Sequence, residues 1–258
     1  MSAHVAWIHV APIKALAIQE LDEVALGPLG VENDRRFCIV DAEARMLNAK
    51  RVPSFIAVRP RFADGELALR MPDGTDVTGP VALGTSLAVT IYGRTVRARI
   101  VEGPWSDALS SLAGQPVRLV RFDEPGEGVD RADEGGGASL LSVASLAAIA
   151  EAARTTAQVD PRRFRMLFGI AGVAAHSEDG WIGRQVSVGD AVVMPGGNIG
   201  RCAVTGLDPT GGVPNLDTLK ALARYRRELV STEPLPFGVW ARVLRPGTVR
   251  VDDLVEVT

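Results

Sequence analysis

The chain has 258 residues, 47% of them hydrophobic, and its 28 Lys and Arg stand against 31 Asp and Glu for a net charge of −3. It is long enough for one large core or two modest ones, too apolar for a disordered chain, and too acidic for general nucleic-acid binding. Its two cysteines, Cys38 and Cys202, argue against a disulfide framework or a four-cysteine zinc site and fit a reducing compartment, and three histidines (His4, His9, His176) argue against a His-rich metal site.

The N-terminus lacks a basic head, and His4, His9 and Pro12 interrupt its apolar run, so no export signal is read there. The longest stretch without a charge, Val77–Gly93, is broken by Gly79, Pro80 and Gly84 and falls short of the roughly 20 apolar residues of a spanning helix. No transmembrane segment is expected, and a cytoplasmic protein is. Short apolar runs at Phe37–Val40, Phe55–Val58, Leu67–Leu69 and Leu87–Ile91 predict strands. Turns are expected at Asp64-Gly65, Pro72-Asp73-Gly74 and Tyr92-Gly93-Arg94, with Val96–Val101 as a hairpin's return strand. A short helix is expected over Ser106–Leu112, capped by Ser106.

Residues Asp123–Gly137 include six acidic residues and five glycines and read as a mobile, solvated loop: a domain boundary, a lid, or plain surface. Ser142–Ala157 reads as an Ala-rich helix with Leu146, Ile149, Ala150 and Ala153 on one face. Leu216–Arg226 reads as a second helix, with Leu216, Leu219, Leu222 and Ala223 facing the core. Strands are expected at Gln185–Val188, Ala191–Met194, Arg201–Thr205, Val239–Leu244 and Thr248–Val251, with turns at Gly189-Asp190 and Pro246-Gly247. This pattern predicts a β-rich α+β protein built on β-barrels with a few packed helices.

Cys202 follows a Gly-rich segment, Pro195 to Gly200, and stands beside Arg201, which favours thiolate if it turns the same way. The residues leave two readings open: a soft ligand for a transition metal, or the small buried hydrophobe that a free cysteine commonly is. Lys14, Arg35, Arg36, Lys50, Arg51, Arg162, Arg163 and Arg165 adjoin apolar segments; converging in space, they would form a pocket for phosphate or carboxylate, and separately they are surface charges. Cys38, inside an apolar strand, reads as core filler. A Cys–His hydrolase pairing Cys202 with His176 or His9 has no nucleophile-elbow motif behind it, and no P-loop, dinucleotide fingerprint or HExxH occurs.

Several patches resemble one known family. Pro12-Ile13-Lys14, Gly30-Val31-Glu32-Asn33-Asp34-Arg35-Arg36-Phe37 and Asn48-Ala49-Lys50 are similar to the N-terminal β-barrel partner domain of MOSC proteins, which are named for the C-terminal domain of molybdenum-cofactor sulfurase. Phe164-Arg165, Trp181-Ile182-Gly183, Val188-Gly189-Asp190, Leu222-Ala223-Arg224-Tyr225-Arg226 and Phe237-Gly238 are similar to the MOSC domain. The most specific match is Arg201-Cys202-Ala203-Val204-Thr205 with Asp208-Pro209-Thr210-Gly211-Gly212, against R-C-x-x-T-x-x-D-P-x-T-G. The resemblance runs from Val5 to Val257. It implies an N-terminal domain over 1–122, a loop over 123–137 and a MOSC domain over 138–258.

The resemblance also implies the molybdenum pyranopterin cofactor, Mo-molybdopterin, with Cys202 as metal ligand and seat of the chemistry. Lys14, Arg35, Lys50, Ser142, Arg165 and Arg201 are its implied cofactor-binding residues. The sequence departs from the family at Ala15 for Ser, Lys50 for Arg, Met166-Leu167 for Pro-Asn, Gly200 for a polar residue or Cys, Gly211 for the second Thr, and Asp252-Asp253 for Gly-Asp. The first expectation is an oxidoreductase reducing N-hydroxylated or N-oxide-type small molecules. No flavin or iron–sulfur motif occurs, so electrons would come from an external donor such as a ferredoxin or flavin reductase. The alternatives are a sulfur-carrier or cofactor-handling protein, and a divergent, non-catalytic binding protein.

Overall fold

The computed structural model describes residues 2–231 and 233–258. It is a β-rich α+β protein of four sheets and three α-helices among the described residues. The largest sheet has eight strands in the order Val255–Val257, Val186–Val188, Ala191–Gly200, Pro236–Arg245, Ala138–Ser142, Phe168–Ala171, His4–Val10 and Gln19–Leu21. Its ladder is open, but His4 bridges Leu254, and Val5 and Asp253 add a backbone hydrogen bond of 2.9 Å that draws the first strand to the last segment. A second sheet orders Ala82–Ile91, Arg94–Glu102, Arg118–Phe122, Phe37–Val40 and Met46–Leu47. Two three-stranded sheets complete the fold; in one, Glu23–Gly27 pairs with Gly247–Arg250.

Strands follow hydrophobic patterning where both faces are covered. All four residues of Phe37–Val40 are buried, and the Tyr92-Gly93 turn joins its two long strands with φ of +49° and +80°, as a tight hairpin requires. Helix α1, Trp105–Ala113, buries Trp105 and Leu109. The expected Ser106 cap is not formed: Ser106 lies inside the helix, and its hydroxyl accepts from Leu119 N at 3.1 Å.

Helix α2 covers Ala144–Ala153, shorter than the expected Ser142–Ala157, because Ala138–Ser142 is a central strand of the large sheet. Helix α3 covers Thr218–Tyr225, capped by Asp217 accepting from Lys220 N; Ala221 and Leu222 are buried and Ala223 is exposed, so the face is rotated from the expected one. Two expected strands are 3-10 turns instead. Pro53 opens a turn over Pro53–Ala57 that buries Phe55 and Ile56, and Ala203–Gly206 turns immediately after Cys202. No helix among the described residues is long and apolar enough to cross a membrane.

Candidate functional site

A cavity of about 470 Å³ lies where the N-terminal and C-terminal segments meet. Its lining includes Lys14, Arg35, Arg165, Arg201 and Cys202. Backbone pairing brings the first two together. Lys14 N donates to Phe37 O at 2.9 Å, Phe37 N to Pro12 O at 3.0 Å, and Arg35 N to Ala11 O at 2.7 Å. Arg165 arrives from the other half, just after the 3-10 turn Pro161–Phe164. The two halves interlock there: Arg35 Nη2 donates to Arg165 O at 2.8 Å, and Arg165 Nη1 donates to Leu16 O at 2.8 Å.

Four non-glycine residues on the cavity wall, Ala15, Arg35, Tyr92 and Arg165, hold φ of +78°, +52°, +49° and +53°. Such backbone costs on the order of 1 kcal/mol or more each and persists where the surroundings fix it. At Arg35 and Arg165 the fixing contacts are the hydrogen bonds just named.

The electrostatics follow from burial. Lys14 is 6% exposed, and burial pushes its ammonium below the ordinary value, with Asp130 pulling the other way. Burial would also lower Arg35, but Asp34 and Asp130 outweigh it and raise the guanidinium. Arg165 is brought down to about 10 by burial and by the neighbouring charge of Arg35. Its Nη2 is buried and has no hydrogen-bond partner among the described residues.

Cys202 is exposed and lies at the end of the Ala191–Gly200 strand in an extended conformation, φ −124° and ψ 174°. Thr205 fixes it: its amide and its hydroxyl both donate to Cys202 O, at 3.1 and 2.9 Å, and the hydroxyl meets Thr218 Oγ1 at the start of α3. The following Asp208 accepts from Thr210 N, Gly211 N and Asn215 Nδ2, and its hydrogen bonds, led by that from the Thr210 side chain, bring its carboxyl to about 2. The Asp-Pro-Thr-Gly segment is thus a self-locked loop that follows the turn after Cys202.

Arg201 turns away from an open anion-gripping pose. Nε donates to Phe237 O at 2.8 Å, Nη1 to Phe164 O at 2.9 Å, and Nη2 to Met166 Sδ and Phe237 O. Gly238 makes room for this, with φ +79° and a Cβ position only 2.6 Å from Met166 Cε. Burial lowers Arg201 to about 10.

Two expected site residues are not brought in. Lys50 is exposed and outside the cavity, though Asn48 and Ala49 line it. Ser142 is fully buried and donates to Ala174 O at 2.9 Å; Ser139, on the same strand, lines the cavity instead. Neither His9 nor His176 lines it. Sequence reading missed Tyr92, Asp130 and Trp240, all on the wall. The Tyr-Gly turn and the acidic loop were visible signals for the first two; nothing local marked Trp240.

Two family models match: the MOSC N-terminal beta barrel domain over residues 2–111 and the MOSC domain over residues 134–256. The molybdenum cofactor sulfurase of Danio rerio is 25% identical over 270 residues, covering 90% of this chain; the chain spans 31% of that relative. Among solved structures, the YUAD protein of Bacillus subtilis is 13% identical with TM-score 0.46, covering 100% of this chain and 96% of that one. YiiM from Geobacillus stearothermophilus is 14% identical with TM-score 0.37, covering 69% and 73%. With both models matched in order along the sequence, the chain belongs to the MOSC proteins that carry the N-terminal β-barrel domain.

Proposed function

We propose that the chain binds the molybdenum pyranopterin cofactor in this cavity and is an oxidoreductase for N-hydroxylated or N-oxide-type small molecules. The observation that carries the reading is one cavity shared by an exposed thiol, Cys202, and three cations, Lys14, Arg35 and Arg165, drawn from both halves of the chain. The donor set fits the group. A thiolate suits a soft metal, Arg and Lys suit a phosphate, and Arg165 Nη2 is buried without a partner among the described residues. A volume of about 470 Å³ is in the range of cofactor pockets.

When bound, the cofactor supplies a metal centre that changes oxidation state. Cys202 would be the protein's ligand to it, and Lys14, Arg35 and Arg165 would hold the phosphate. Arg201 positions rather than grips: its N–H groups tie the residue before Cys202 to the carbonyls of Phe164 and Phe237. Phe164 and Trp240 supply apolar wall that limits water. Electrons would come from a separate ferredoxin or flavin reductase in the cytoplasm. The division at 1–122, 123–137 and 138–258 belongs to this reading, with the cavity at the junction.

The test is molybdenum per chain in protein from a cofactor-producing host. The expected result is metal in the wild type and none in Cys202→Ser; unchanged metal in that variant overturns the ligand. The likeness to a molybdenum cofactor sulfurase over 90% of this chain favours a second reading, sulfur carriage or cofactor handling. Reduction of a hydroxylamine substrate with an artificial donor supports the first, and metal retention without reduction supports the second.

A further inference from the structure

The cationic end of the cavity already holds a carboxylate. Asp130, in the acidic loop, places Oδ1 2.5 Å from Lys14 Nζ, and the same ammonium donates to Gly128 O at 2.8 Å. Two of the three N–H groups of Lys14 are therefore taken by one loop. The lysine also lies over the Tyr92 ring, 4.6 Å from its centroid. Partial desolvation inside the cavity pulls the Asp130 carboxyl upward, but Lys14, Arg35 and hydrogen bonding from Tyr92 outweigh it and keep it ionised.

The loop is fastened on either side of this contact. Arg94 Nη2 donates to Glu127 O and Val129 O at 3.2 and 2.9 Å, and Arg94 Nη1 lies 3.3 Å from an Asp133 oxygen. Gly128 presses on Arg35 so closely that a Cβ there would stand 2.0 Å from Arg35 O. The Asp130 side chain nevertheless keeps 62% of its surface open, because it faces the cavity. It is a closed contact whose carboxylate stands at an accessible surface.

Charge defines what displaces it. On this wall Arg163 is tied to Leu207 O and Asn215 Oδ1, Arg201 to Phe164 O and Phe237 O, and Arg131 to Glu134 and Glu233. That leaves Lys14, Arg35 and Arg165, which with Asp130 in place face two carboxylates, Asp34 and Asp130. With Asp130 swung out they face Asp34 alone, and the surplus of two positive charges matches a phosphomonoester dianion. We propose that Asp130 is a resident anion that latches the 123–137 loop over the Lys14–Arg35 site and is exchanged for the dianionic phosphate of an incoming ligand. The identity of that ligand rests on the cofactor reading above; the latch itself does not.

The experiment uses cofactor-free full-length chain, wild type and Asp130→Asn, with inorganic phosphate at pH 8 as the probe. Hydrogen exchange of the 126–131 amides is followed with and without it. Removing a charge-assisted competitor should tighten phosphate binding about tenfold in Asp130→Asn. The variant's loop should exchange faster without any probe, and phosphate should speed exchange in the wild type. Equal or weaker phosphate binding in the variant, or a loop whose exchange is the same in both proteins, overturns the latch. If neither protein binds phosphate, the anion-site reading falls; exchange without probe then still decides whether Asp130 holds the loop.

Discussion

Cys38 and Cys202 each follow closely on arginine, Arg35-Arg36-Phe37 in one case and Arg201 in the other, and they meet opposite fates. Cys38 lies within a strand buried on both faces, packed with Val40, Val89, Ile91 and Phe122, and burial pushes its thiol up to about 12. Cys202 comes after its strand has ended, where the chain turns into a 3-10 turn and leaves the side chain exposed at the cavity. The arginines differ in the same way. Arg35 pairs with Asp34 and reaches across to the other half, whereas Arg201 is spent on carbonyls. A thiol becomes available through its place at the end of a strand, not through the charge beside it.

The comparison breaks most sharply on metal. Cys202→Ser should abolish molybdenum retention while Cys38→Ser keeps it; loss in both variants, or in neither, removes the distinction. Alkylation comes next. Cys202 should react with iodoacetamide in the folded protein at least about a thousandfold faster than Cys38, which waits for unfolding. Comparable rates, read by mass spectrometry of the two peptides, would show an open Cys38 strand.

A third region sharpens the contrast, because it buries an acid outside the cavity described above. Glu178 is fully buried, and burial raises its carboxyl to about 7 from 4.5, against weaker pulls from the backbone amides of Glu178 and Ser142. Below pH 4.5 folded and unfolded chains are both protonated there. Between 4.5 and 7 the unfolded chain releases its proton first, so stability falls as pH rises. Relative to Glu178→Gln, the wild type should lose up to about 3 kcal/mol across that window and stay level above it. A difference that does not change with pH in denaturant titrations would mean that the backbone amides and Arg226 fully offset the burial of this carboxyl. The smallest effect is on stability at the cysteines themselves. Cys38→Ser leaves a buried hydroxyl and should cost about 1–3 kcal/mol, while Cys202→Ser should stay within about 0.5 kcal/mol of the wild type. Urea midpoints at equal slope decide this.

The strands and turns whose residues agree locally were legible: Phe37–Val40, the Tyr92-Gly93 hairpin and the Gly189-Asp190 turn. Phe55–Val58 and Arg201–Thr205 were misread because an apolar run looks the same in a 3-10 turn as in a short strand. The acidic loop was read as mobile and solvated because its composition is polar. Its attachment depends on Arg94 and Lys14, which lie 33 and 114 residues away in sequence.

The sequence by itself determined the β-rich character and carried the family resemblance through the Arg201–Gly212 pattern, because residue types and their order are local facts; it offered Cys202 and the cations Lys14, Arg35 and Arg165 as candidates among others. Only the tertiary structure decided that these groups share one cavity, that Arg201 serves carbonyls, that Lys50 and Ser142 stand outside, and that Asp130 occupies the cationic end. The reason is physical: which charge meets which depends on pairings between segments 20 to 150 residues apart, such as Lys14 with Phe37 and Arg165 with Leu16, and no local rule encodes their distance.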